Sequence, residues 1–172
     1  MVGSTMSSTA RQTTGLIANF AAITLTTQFY LRLQLSDTVL AALSYMAQYF
    51  TLLTNTMAFI LMVWIAMRRA VSPRLVRAVI ISIVCFGLIY HRLLAHLVSL
   101  SGVKLWADHE THTVVSLLAG IWWLLLAPKP KIKAGDIMLW VAWPLIYCGN
   151  IFFRVSFSRF YPYPFLNVPE IG

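Results

Sequence analysis

Acidic residues are scarce in this chain of 172: there are five Asp and Glu against thirteen Lys and Arg, and charged residues make up only 10%. A soluble domain carries about 25% charged residues and roughly 45–50% apolar ones. Here 59% are apolar and the mean hydropathy is +0.77. One soluble domain of this length cannot hide so much apolar surface, so most of it is expected to face lipid. There are only two cysteines, Cys85 and Cys148, and both sit inside apolar runs. That placement argues against a disulfide framework and leaves them as small packing residues. No nucleotide-binding glycine loop, internal repeat or low-complexity linker is present. No run alternates with period two, which excludes barrel strands. A net charge of +8 would suit nucleic acid, but the basic residues separate long apolar runs instead of decorating one polar face. No nucleic-acid partner is therefore expected.

What is present reads as an all-α polytopic transmembrane bundle. A polar N-terminal tail, residues 1–13, precedes a single helical domain with five apolar spans at about 14–31, 43–67, 75–100, 112–127 and 137–153. The first span lacks a convincing cleavage site after it and reads as an uncleaved anchor; the Ser/Thr-rich tail reads as frayed. Eight of the thirteen basic residues (Arg11, Arg68, Arg69, Arg74, Arg77, Lys129, Lys131 and Lys133) fall on one side under alternating topology. The other side receives Arg32, Lys104, Arg154 and Arg159, with the acids Asp37, Asp108, Glu110 and Glu170. By the positive-inside rule the N-terminus is cytoplasmic, the Asp108–His112 connection is external, and the basic excess meets anionic lipid heads.

Polar groups inside spans are the informative residues, because burial in hydrocarbon is costly without a partner. At 1.5 Å per residue, Thr51 lies roughly 12 Å below the external boundary, with Asn55 one turn deeper on the same face. His91 comes about 24 Å along span three, in its outer half. His112 enters span four at the external mouth, and Asn150 reaches the outer half of span five. Four helices thus offer polar groups at similar depth, which points to one outward-facing cavity. A threonine hydroxyl becomes a nucleophile when a positioned base takes its proton, and imidazole is the usual base near neutral pH. Thr51 and His112 can meet if spans two and four pack together, and Asp108, four residues before His112, can orient the ring's other nitrogen. Other roles stand beside this one. Thr51 can bond the carbonyl of Ala47 or help helices pack, and His91 can bridge to Asn55 or Asn150. Arg92 and His96 can snorkel to the interface, and Trp106, Trp122, Trp123, Trp140 and Trp143 read as interfacial or packing aromatics. The His109-Glu110-Thr111-His112 string is not the zinc-protease helix pattern, which needs two residues between Glu and the second His. His109 and His112 at i,i+3 can share a metal with Asp108 or His91, but no third firm ligand is evident. Three of the four histidines sit too close to the external end for paired haem ligation. No metal or other cofactor is expected.

Three strings appear in order: Gln48-Tyr49-Phe50-Thr51-Leu52-Leu53-Thr54-Asn55 opening span two, Asp108-His109-Glu110-Thr111-His112-Thr113 entering span four, and Tyr161-Pro162-Tyr163-Pro164-Phe165-Leu166 after span five. In that order they resemble the androgen-induced-gene-type family of multipass membrane proteins, and its prokaryotic branch in particular, over about Gln28 to the C-terminus. The resemblance implies hydrolysis of fatty acid esters of hydroxy fatty acids, with an intramembrane threonine corresponding to Thr51 and a histidine corresponding to His112. It implies a fatty acyl ester or membrane lipid as partner and a bacterial inner membrane location. The family string has Asn where this chain has Asp108, so the orienting interaction is expected to differ; His109 keeps the family's first histidine. The family also has a further helix after the Tyr-Pro block, so a missing sixth helix is expected here. The expectation is an intramembrane lipid-ester hydrolase with Thr51 as nucleophile and His112 as base, supported by Asn55, His91, Asp108, His109 or Asn150. The rival expectations are a lipid-binding or transport protein without chemistry, and a metal-dependent membrane enzyme.

Overall fold

A computed structural model describes Val2 and residues 6–158 and 160–167. Arg159 and Glu170, assigned above to the external side, lie outside the described residues. The order is α1 (Ser8–Leu33), α2 (Val39–Met46), α3 (Phe50–Ala66), α4 (Pro73–Ile89), α5 (Gly102–His109), α6 (Val115–Leu126) and α7 (Ala134–Ser158). Two junctions matter most. α4 continues through a π-helical turn at Tyr90–Leu94 and a short 3-10 turn at Ala95–Leu97. α5 runs into α6 through a second π-helical turn at Glu110–Val114. π-turns inside longer helices are uncommon and concentrate at functional sites.

Local chemistry sets the boundaries. The Ser7 side chain accepts from the Ala10 N–H and starts α1, and Thr38 does the same for α2 through Ala41. Pro73 occupies the first turn of α4, where its missing N–H costs nothing. The expected frayed tail is therefore helical from Ser8, and buried Val2 exchanges backbone hydrogen bonds with Val71. Pro144 lies inside α7 without ending it.

The five expected spans become a different set of helices. Among the described residues, two helices are long and apolar enough to cross a membrane, Pro73–Leu97 and Ala134–Ser158. The expected span at 43–67 is a pair, α2 and α3, bent by 96°. α1 has the length, but its Thr, Asn and Gln residues dilute its apolar content; the α5–α6 helix carries Lys104, Asp108 and Glu110 along its N-terminal half. Sequence windows of apolar residues did not register either dilution.

α1, α3, α4 and α6 enclose the main core. Ala18 and Ala21 of α1 and Ala58 of α3 are buried together with Ile17, Met62, Ile65, Ile80, Ile83, Val115 and Trp122. Such small residues let helix backbones approach closely. The Trp122 indole N–H donates to the Ala10 carbonyl at 3.1 Å. A second, aromatic cluster of Phe50, Phe86, Tyr90, Tyr147 and Tyr163 joins α3, α4, α7 and the segment after α7. α7 braces the bent pair: the Tyr147 hydroxyl donates to the Gln48 carbonyl at 2.6 Å, and Arg154 donates to the Ser44 carbonyl at 3.1 Å and hydroxyl at 2.6 Å.

Candidate functional site

The 96° break between α2 and α3 determines what Thr51 can do. Residues 47–49 are not helical, and Thr51 is the second residue of α3. Its bond to the Ala47 carbonyl, the ordinary fate of a threonine in a continuous helix, does not form. Thr54 does bond back in that way, to the Phe50 carbonyl at 2.8 Å. Thr51 Oγ1 instead lies 3.3 Å from the hydroxyl of Tyr163, both side chains being buried. The first N–H groups of a helix lack intrahelical acceptors and carry partial positive charge, so the opening turn of α3 is a place for a developing negative charge.

Asn55 ties this turn to the second π-turn. Its Nδ2 donates to the Thr51 carbonyl at 2.9 Å and to the Thr111 carbonyl at 3.1 Å, while its buried Oδ1 has no partner among the described residues. On the other side of Thr111, Gln28 of α1 donates to the Thr111 hydroxyl at 3.1 Å and to the Ala107 carbonyl at 3.3 Å. The π-turn is thus held by α1 and α3 at once. Next in the chain, His112 presents its ring to the same space.

His112 is fixed by three neighbours. Its ring stacks on Tyr90, with centroids 3.6 Å apart and planes within 9°. Its Nε2 lies 3.7 Å from Asp108 Oδ1, one helical turn earlier, and among the described residues its buried Nδ1 has no hydrogen-bond partner. The backbone beneath it is held by close packing: a Cβ added at Gly87 of α4 would stand 2.7 Å from the His112 carbonyl oxygen. The Tyr90 hydroxyl donates to Asp108 Oδ2 at 2.5 Å, so the first π-turn is tied to the end of α5, just ahead of the second.

These groups line one cavity of about 520 Å³, with Gln28, Tyr45, Tyr49, Thr51, Tyr90, Asp108, Thr111, His112 and Tyr163 on its walls. α3 and the α5–α6 helix thus share the walls of one space. Among the described residues no hydrogen bond joins Thr51 to His112 directly; Thr51 is bonded to Tyr163.

Other expected site residues lie elsewhere. Asn150 is exposed on the outer face of α7 and does not line the cavity, because the helix turns Tyr147 and Ile151 inward instead. His91 is exposed and bonded to the Thr113 hydroxyl at 2.8 Å, not to Asn55 or Asn150. It borders a separate, mostly apolar recess of about 280 Å³ on the α4–α6 side, which His112 also touches. His109 is exposed. Asn55 serves as a brace between backbones, so its amide is not free for a ligand. Among the described residues no group of three or more His, Cys, Asp or Glu is placed to hold a metal ion.

Tyr90 and Tyr163 are the residues that sequence reasoning missed. Tyr163 lies in the Tyr161–Leu166 string, whose role was not legible without knowing that the chain folds back over the cavity. There it packs edge-on against Tyr49 and stacks on Phe165. Tyr90 carried no signal beyond its place beside His91, since a π-turn leaves no mark in the apolar pattern. Comparison with family models, with curated proteins and with solved structures returns no match to this chain.

Proposed function

We propose that the protein is a polytopic membrane hydrolase of lipid esters, with Thr51 as nucleophile and His112 as general base. The observation that carries this reading is the convergence of Thr51, His112 and Asp108 on one buried-walled cavity, where two helices depart from α-helical geometry together. The resemblance of the strings around Thr51 and His112 to the androgen-induced-gene-type family supports the same pair.

Thr51 Oγ attacks the acyl carbonyl carbon, and its proton passes to His112. With Nε2 turned to Asp108, Nδ1 is the nitrogen left to take it. Negative charge on the carbonyl oxygen develops at the N-terminus of α3, beside Tyr163, where first-turn N–H groups without intrahelical acceptors stabilise it. Collapse of the tetrahedral adduct breaks the ester C–O bond; the alcohol leaves with the proton from His112. Water, deprotonated by His112, then attacks the acyl-threonine, and the acid leaves as Thr51 regains its proton.

Membrane embedding supports a lipid ester as substrate. Only 17% of the most apolar stretch of α7 is buried within the protein, and Leu40, Leu125, Met138 and Phe157 turn outward at 74–77% exposure. Such a surface is suited to lipid tails and poorly suited to water. We read five membrane passes, α2 and α3 counting as one, with the cytoplasmic N-terminus given by the basic excess at Arg68–Arg77 and Lys129–Lys133.

A second reading, lipid binding without chemistry, is favoured by one observation: the Thr51 hydroxyl is bonded to Tyr163 and not to His112. Purified protein assayed on long- and short-chain esters separates the two. Turnover that is lost in both Thr51→Ala and His112→Ala supports the hydrolase. Wild-type turnover in either variant removes the proposed pair, and ligand binding without any turnover favours the second reading.

A further inference from the structure

Of the two helices long and apolar enough to cross a membrane, Pro73–Leu97 has half of its most apolar stretch covered by the protein, and α7 far less. One strongly polar side chain stands on the uncovered side of α7. Trp143, Tyr147 and Arg154 bond to neighbouring elements, whereas Asn150 is exposed and among the described residues its amide bonds to nothing. α7 has 25 residues and is about 37 Å long, with Asn150 about 12 Å from its Ser158 end. A hydrocarbon core of about 30 Å centred on the helix includes that position. Lipid tails offer an amide no partner, so Asn150 at this depth calls for one from protein.

Its neighbours on that side are apolar and regularly spaced. Ile146, Asn150, Phe153 and Phe157 follow one another at intervals of four, three and four residues, and the three apolar ones are 64–77% exposed. Two helices pack along one another through that spacing, and a single Asn in such a seam specifies register and oligomeric state. Gly149 flanks the seam, and a Cβ added there meets nothing within 4 Å, so a second backbone can approach closely. Charge does not oppose the contact, because Arg154, one turn beyond Asn150, is turned to Ser44. The amide itself points to the occupant. It carries a donor end and an acceptor end of opposite partial charge, so its own copy across a two-fold axis is its complement.

We propose that two copies of this chain pair in the membrane through the Ile146, Asn150, Phe153 and Phe157 seam of α7, the two Asn150 amides hydrogen-bonding to each other near the two-fold axis. The pairing takes α7 as a membrane span and is independent of the hydrolase chemistry. None of the four seam residues lines the main cavity, so its walls stay as they are.

Stoichiometry in a bilayer tests the pairing. Purified full-length protein is reconstituted into phosphatidylcholine vesicles at falling protein-to-lipid ratios, and copies are counted from the photobleaching steps of an attached fluorophore. A dimer that dissociates on dilution is expected. Asn150→Leu weakens it about three- to tenfold, and Asn150→Gln, which keeps the amide, retains most of it. Asn150 is exposed, so both variants are expected to unfold thermally near the wild-type temperature. Single cysteines locate the face once Cys85 and Cys148 are replaced by Ala. Phe153→Cys is expected to cross-link between copies on oxidation, whereas Phe152→Cys, at the same depth and about 100° round the helix, is not. Monomers at every ratio, a dimer indifferent to Asn150→Leu, or equal cross-linking at the two positions overturns the proposal. Protein that stays in the vesicles as a monomer removes the dimer and leaves the span standing; protein that washes out at alkaline pH removes both.

Discussion

The two ends of the bundle bury polar side chains in opposite ways. At the end where α4 and α7 begin, Arg77 and Asp136 are 3% and 1% exposed and lie 3.4 Å apart. Arg74 adds a second contact to Asp136 at 3.2 Å, Arg77 also donates to the Pro130 carbonyl at 2.6 Å, and Asp136 accepts the Lys133 N–H at 3.1 Å. Charge meets charge there, Asp136 Oδ1 being ion-paired to Arg74 although it accepts no hydrogen bond. At the other end His112 Nδ1 and Arg32 Nε are buried without partners among the described residues, around or beside a space of about 520 Å³. Buried polar atoms ordinarily find partners. A closed knot of charges therefore reads as architecture, whereas unpaired groups around a cavity read as a site waiting for a ligand.

Removing groups from each end sharpens this contrast. The largest effect is expected at the open end: Thr51→Ala lowers ester turnover by about 10³-fold or more, and His112→Ala by about 10²–10⁴-fold, with melting temperatures near wild type. Turnover and thermal unfolding measured on the same preparations check this. At the closed end, Asp136→Asn leaves Arg77 buried without its counter-charge and costs about 3–5 kcal/mol of stability. Chemical unfolding reads that loss, while turnover per folded molecule stays unchanged. Gly87→Ala is next. Its added methyl meets the His112 backbone carbonyl at 2.7 Å, so about 1–3 kcal/mol of overpacking is expected, together with a drop in turnover that the Asp136 variant does not show. Tyr163→Phe is the smallest. It removes one hydroxyl contact with Thr51, about 0.5–1.5 kcal/mol, and a several-fold change in kcat/KM measures it. If Asp136→Asn and His112→Ala affect stability and turnover alike, the division between the two ends is broken.

Much of the helical character was legible, because long apolar runs without alternation admit one secondary structure. The break at residues 47–49 was not, since no Gly or Pro marks it; it is held by Tyr147 on the Gln48 carbonyl, a contact between residues 99 apart. Thr51 and His112 were legible as polar residues at similar depth on separate helices, and they do share a cavity. Asn150 was misplaced because depth along a helix says nothing about which face a side chain takes. Tyr90 was missed because its stacking on His112 is a contact between separate helices, which only the assembled helices reveal. The Arg74–Arg77–Asp136 knot also escaped notice, since those arginines were read only as a topology signal.

The central claim is that Thr51 carries the acyl group. Purified protein treated with a long-chain fluorophosphonate, digested and analysed by peptide mass mapping, tests it most directly. The account predicts a phosphonyl adduct on Thr51 that is absent in Thr51→Ala and strongly reduced in His112→Ala. An adduct on another residue, or none under conditions where ester is turned over, contradicts it.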